Sequence, residues 1–112
     1  MRIETDILGE KQLADTTAYG INTQRAVENF DLHHRRTNLC LIYAMVTVKK
    51  AAALTYRDLE VREKGIYEAI VTACDEILAG KYDDAFVTEA LQGGAGTSTN
   101  MNVNEVIANA AL

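Results

Sequence analysis

Gln92-Gly93-Gly94-Ala95-Gly96-Thr97-Ser98-Thr99-Asn100-Met101-Asn102 is the stretch that decides how this chain is read. Three glycines within four positions leave the backbone bare to whatever approaches it. Hydroxyls follow at Thr97 and Ser98, then amides at Asn100 and Asn102. Behind them, Val103-Asn104-Glu105-Val106-Ile107-Ala108-Asn109-Ala110-Ala111-Leu112 reads as a helix. A Gly-rich turn therefore empties into a helix N-terminus. Backbone N–H groups there lack intrahelical partners and carry a partial positive charge, which suits a carboxylate or phosphate. The plainer alternative is a capped helix after a loop. The helix is expected to begin between Ser98 and Asn102, and Asn102 with Glu105 fits a capping box.

Upstream, the elements are mostly helical. Residues 1–13 alternate loosely around Gly9 and predict a short extended pair or hairpin. Asp15 to Thr17 is a polar turn, and Ile21 to Phe30 a short helix. Thr37 or Asn38 can cap a helix over roughly 38–56. Leu39 to Val46 is apolar throughout, but Lys49-Lys50-Ala51-Ala52-Ala53 favours helix over strand. A helix apolar nearly all round needs cover on several sides, which so short a chain hardly provides. A third helix is expected over about 61–79. Its inner positions would be Ile66, Ile70, Ala73, Cys74 and Ile77, with Gly80 closing it. Lys81 to Leu91 reads as a packed loop delivering the Gly-rich turn.

Composition narrows the function. The 112 residues, 48% hydrophobic, make one small globular domain. A net charge of −5 argues against nucleic-acid binding. No apolar run is expected to reach the ~20 residues of a membrane span, and Met1-Arg2-Ile3-Glu4 does not open a signal peptide. These features predict a cytoplasmic protein. Cys40 and Cys74 sit in apolar helical patterns and read as buried thiols, although a disulfide between them stays open. Asp31 to Asn38 reads as a solvated connection. Its adjacent His33 and His34 point apart and predict no metal site. Arg25 reads as an ion-pair partner before a substrate ligand, and Tyr19 and Tyr43 as packing residues. The last helix stops at Leu112 while still apolar, so the polypeptide is expected to continue.

Gln92 to Ser98 followed by Asn100 to Asn109 resembles the first signature segment of the aspartase/fumarase superfamily. Its Gly-Gly-Ala-Gly-Thr-Ser form is similar to the aspartase branch, whereas class II fumarases usually carry Ser-Gly-Thr-Gln there. The resemblance runs through the chain: Arg2-Ile3-Glu4 with Asp6, Leu8-Gly9, Tyr19-Gly20-Ile21, Thr23, Arg25 to Phe30 and Val48 to Leu54. Asp31 to Asn38, the absence of proline and Ala110 depart from the family pattern.

The resemblance implies a mainly α fold: a short extended N-terminal segment, then about four helices, the last truncated. Residues 1–112 would be an incomplete N-terminal lyase domain, without the central helical bundle and C-terminal domain. The whole protein would reversibly eliminate ammonia from L-aspartate to give fumarate, through a stabilised aci-carboxylate. It would need no cofactor and would act as a homotetramer whose active sites draw on several subunits. Thr97 and Ser98 would bind the dicarboxylate substrate, Asn100 more weakly. The catalytic base would lie downstream, leaving this stretch inactive alone. A fumarase is the nearest rival, and a non-catalytic helical assembly domain is the rival from another class.

Overall fold

In the computed structural model, which describes residues 1–32 and 34–112, a hairpin leads into four α-helices. Strands β1 (Arg2–Asp6) and β2 (Gly9–Leu13) pair antiparallel with Arg2 opposite Leu13 and Asp6 opposite Gly9. Ile7 and Leu8 form the exposed tip, where Asp6 Oδ1 accepts from the Leu8 N–H at 2.9 Å. The strand turns its charged side inward: Arg2, Glu4 and Asp6 are half-buried while Ile3 faces out. The inner side has polar work to do. Arg2 donates to the carbonyls of Ala14, Thr17 and Tyr19 at 3.0, 2.9 and 2.7 Å, strapping the connection to α1 (Ile21–Asn29).

Helix α2 spans Leu39–Asp58, with Asn38 Oδ1 accepting from the Cys40 N–H at 2.8 Å. Of the two expected caps, Asn38 is the one used. The helix stops where Leu59 bonds back to Thr55 and Glu60 takes a left-handed conformation, φ 53°. Residues 59–63 are spent on that reversal, so α3 covers Lys64–Leu78 and is shorter than its pattern predicts. Gly80, φ +92°, follows α3 as expected. A single 3-10 turn, Asp83–Ala85, sits inside the packed connection. Helix α4 covers Thr97–Ala111, one residue ahead of the predicted window.

The core joins Ile42 and Val46 of α2, Cys74 and Ile77 of α3, Phe86 of the connection, and Val103, Val106 and Ile107 of α4. Burying such side chains supplies the main drive to fold, roughly 1.5–3 kcal/mol for each large one. Two inner positions of α3 are exchanged. Ile66 is 46% exposed, while Tyr67 is buried with its ring 6.2 Å from that of Tyr56.

Two further expectations are corrected. Cys40 is exposed, because it occupies the first turn of α2 outside the core; Cys74 is buried, and both thiols are free. Helix α2 is long and apolar enough, by length and composition, to cross a membrane. Its Ile42, Val46 and Ala53 are buried against neighbouring helices, while Leu41 and Val48 are more than half exposed. The connection before α2 is exposed as expected at Asp31, Leu32, His34, Arg35 and Arg36, and it is also tied to the segment after α3. Thr37 N–H donates to the Thr88 carbonyl at 3.2 Å, and Ala90 N–H to the Arg35 carbonyl at 2.6 Å. His34 lies 3.1 Å from Asp31, whereas the reading made for His33 lies outside the described residues.

Candidate functional site

The Gly-rich turn ends at Gly96, whose φ of +86° lies in the left-handed region that a side chain disfavours. Gly94, φ +80°, makes the same demand two residues earlier. Between them they swing the chain so that α4 starts abruptly, and Gly96 gives that start no side-chain cap.

Capping arrives from the turn instead. Gln92 Oε1 accepts from the Thr99 N–H at 3.0 Å, and Gln92 Nε2 donates to Thr99 Oγ1 at 2.8 Å and to the Glu89 carbonyl at 2.6 Å. Thr99 is buried, and its hydroxyl meets that of Thr37 at 3.1 Å. Asn100 N–H returns to the Gly96 carbonyl at 3.0 Å. Gln92 and Thr99 thus hold the shape of the turn, a duty that local pattern alone did not assign them.

The capping box expected from Asn102 and Glu105 is absent. Asn102 is fully buried, accepting from the Val87 N–H at 3.1 Å and donating to the Ala85 carbonyl at 3.0 Å. It pins the connection to α4 from within. Glu105 crosses to α1, where it accepts from the N–H groups of Asn22 and Thr23 at 3.0 and 2.7 Å and from the Thr23 hydroxyl at 2.6 Å. Glu4 Oε1 accepts from the Ile21 N–H at 3.0 Å. Two carboxylates therefore fill the N-terminus of α1. They press so close that a Cβ on Gly20 would lie 2.2 Å from Glu105 Oε2.

The first two N–H groups of α4, on Thr97 and Ser98, meet no partner among the described residues, and neither do their hydroxyls. Thr97 is exposed and Ser98 half-buried. Ser98 opens onto a cleft of about 550 Å³ walled by Leu8 of the hairpin tip and by Arg25, Ala26, Glu28, Asn29 and Phe30 of the α1 region. Asn100 lies on the other flank, beside Leu41, Met45, Val48 and Lys49 of α2. Its Oδ1 accepts from Lys49 Nζ at 2.7 Å. All three predicted site residues thus share the first turn of α4, with Thr97 between the two flanks.

Arg25 lies in the Ser98 cleft as an ion-pair partner. It donates to Asp6 Oδ2 from Nε at 2.7 Å and to Asp6 Oδ1 from a terminal nitrogen at 2.8 Å. That bidentate contact holds the Asp6 carboxyl below its usual range and raises the guanidinium further. Tyr43 packs against the core as expected but also donates to Asp83, which raises its phenol above the ordinary value. Among the described residues, no group of three or more His, Cys, Asp and Glu side chains converges to hold a metal ion. The start of α4 offers fixed donors with no acid bonded to them among the described residues, and Glu28 lies across the Ser98 cleft; such donors can hold a carboxylate.

Comparison with known proteins gives the family and the fold. The family described as "Lyase" matches residues 9–112. The chain is 52% identical over 111 residues to the aspartate ammonia-lyase of Bacillus subtilis, covering 99% of this chain and 23% of that protein. It is 44% identical over 115 residues to the aspartate ammonia-lyase of Escherichia coli K12, covering 100% of this chain and 24% of the relative. The fold superposes on the fumarate lyase:delta crystallin of Brucella melitensis with a TM-score of 0.95 at 48% identity, over 99% of this chain and 26% of the other. A class II fumarase from Schistosoma mansoni gives 0.93 at 36% identity, over 98% of this chain and 23% of the other. The chain thus spans about a quarter of the relatives it matches.

Proposed function

The chain belongs to this lyase family, and from that membership we propose that the protein containing it is an aspartate ammonia-lyase. The reaction is the reversible elimination of ammonia from L-aspartate to give fumarate. A base takes the proton from C3, next to the β-carboxylate. The C3–H electron pair spreads into that carboxylate as a dianionic aci form. The pair then returns as the C2–C3 double bond forms, the C2–N bond breaks, and ammonia leaves. The C3 proton is weakly acidic, so the step depends on fixed donors aimed at the developing charge.

The observation carrying this reading is the open start of α4. Two N–H groups and the Thr97 and Ser98 hydroxyls meet no partner among the described residues there. These donors are fixed before substrate arrives, because Gln92 and Thr99 set the turn. In this reading Thr97 and Ser98 bind a substrate carboxylate and Asn100 supports them. The base and the remaining contacts come from segments outside these residues. Assembly into a homotetramer completes the site, and the exposed apolar side of α2, Leu41 and Val48 among it, suits burial between subunits.

The test is fumarate absorbance with the full-length protein. L-aspartate should turn over at ~1 s⁻¹ or more, with L-malate dehydrated far more slowly. Fast dehydration of L-malate without deamination of L-aspartate would replace this reading with a fumarase.

A further inference from the structure

We propose that Lys49 is a positioning residue of the substrate site, acting through the Asn100 amide; the proposal rests on the carboxylate-site reading above. The other lysines, Lys11, Lys50, Lys64 and Lys81, each meet a carboxylate: Glu28, Asp75, Glu68 and Glu76 in turn. Lys49 makes no ion pair among the described residues. It is half-buried, and its ammonium donates to a neutral side chain, Asn100 Oδ1, at 2.7 Å.

That contact sets the polarity of the site. An ammonium has only donors, so it can meet only the oxygen end of an amide. With Oδ1 held by Lys49, the end left to other partners is the Nδ2 group, with two N–H donors. The opposite amide orientation would present an oxygen and repel a carboxylate. Asn100 stands three residues after Thr97, so the two are neighbours on the surface of α4. Asn100 Nδ2 has no partner among the described residues, which leaves it available to an anion held at Thr97. The Lys49 charge, with no acid paired to it among the described residues, also polarises the amide toward stronger donation.

A double-mutant cycle in the full-length protein tests this, with initial rates of L-aspartate deamination and fumarate binding by calorimetry. Lys49→Met keeps the stem and removes the donor. KM for L-aspartate should rise about tenfold, the loss of one charge-assisted hydrogen bond, while kcat stays within about twofold. Lys49→Arg restores a donor and should recover most of the loss. In an Asn100→Ala background, Lys49→Met should change KM no further, because the residue it acts through is gone. Multiplicative losses in the double variant would overturn the proposal, as would a lowered melting temperature with unchanged kinetics. Lys49→Leu, which also lacks a donor, serves the same cycle if Lys49→Met does not fold. A full-length wild type without lyase turnover overturns this proposal together with the site reading, whereas turnover with a multiplicative cycle overturns this proposal alone.

Discussion

At the start of α1 the N–H groups of Ile21, Asn22 and Thr23 point at carboxylates of the chain itself, Glu4 and Glu105. At the start of α4 the N–H groups of Thr97 and Ser98 meet no such acid among the described residues. Both ends carry the partial positive charge of any helix N-terminus. The protein neutralises one with its own side chains. There the acids tie the hairpin and α4 to α1, across 17 and 83 residues of sequence. The other it shapes through Gln92 and Thr99 but does not fill. A helix end occupied internally is a joint, and the open one is, in the proposed reading, where an external anion binds.

Four changes break or sharpen that contrast. The largest effect is expected at the open end. Thr97→Ala in the full-length protein removes a donor from the carboxylate site, worth roughly 2–4 kcal/mol of transition-state stabilisation. That is about 30- to 1000-fold in kcat/KM, with melting unchanged. Wild-type kcat/KM and a lowered melting temperature would make this end a capped helix and no more.

At the filled end the loss should fall on stability. Glu105→Ala strands two N–H groups and the Thr23 hydroxyl, which is worth about 2–3 kcal/mol by urea denaturation. The kcat/KM should move much less than in Thr97→Ala. A kinetic loss exceeding that of Thr97→Ala, with stability unchanged, would mean the roles of the two ends had been reversed.

Ser98→Ala sits between the extremes. The Ser98 hydroxyl meets no partner among the described residues, so Ser98→Ala should leave melting nearly unchanged and cost less kcat/KM than Thr97→Ala. Paired melting and kinetic measurements on one preparation separate the two contributions.

The smallest effect concerns the hairpin that walls the Ser98 cleft. Arg25 holds the Asp6 carboxyl below its unfolded value. A depressed carboxylate stabilises the fold fully above its unfolded pKa, and that contribution is lost as pH falls through the folded pKa. Stability should therefore drop below about pH 4. Asp6→Asn should flatten this acid limb; an unchanged limb would show that Asp6 and Arg25 do not hold the hairpin in solution.

The hairpin around Gly9, the four helices and the Asn38 cap were legible because each depends on residues close in sequence. The Gly-rich turn leading into a helix start was legible for the same reason. Glu105 was misread because it fits a capping box with Asn102 at local spacing, while its true donors lie 82 and 83 residues away. Gln92 stood in the motif without a role, since its contact with Thr99 appears only once the turn closes. Cys40 followed the apolar run of α2 and yet is exposed, because periodicity states how a helix is patterned and not which neighbours arrive to cover it.

The sequence by itself determined the helical architecture, the Gly-rich turn into α4 and membership of the lyase family. Those rest on backbone propensity, glycine conformation and a run of side chains read in order. Only the tertiary structure decided which helix end the chain keeps for itself and which it leaves vacant. A carboxylate accepts from whatever donor folding brings within about 3 Å, and for Glu4 and Glu105 that donor comes from a distant part of the chain; the Lys49 ammonium likewise meets the Asn100 amide only through the fold.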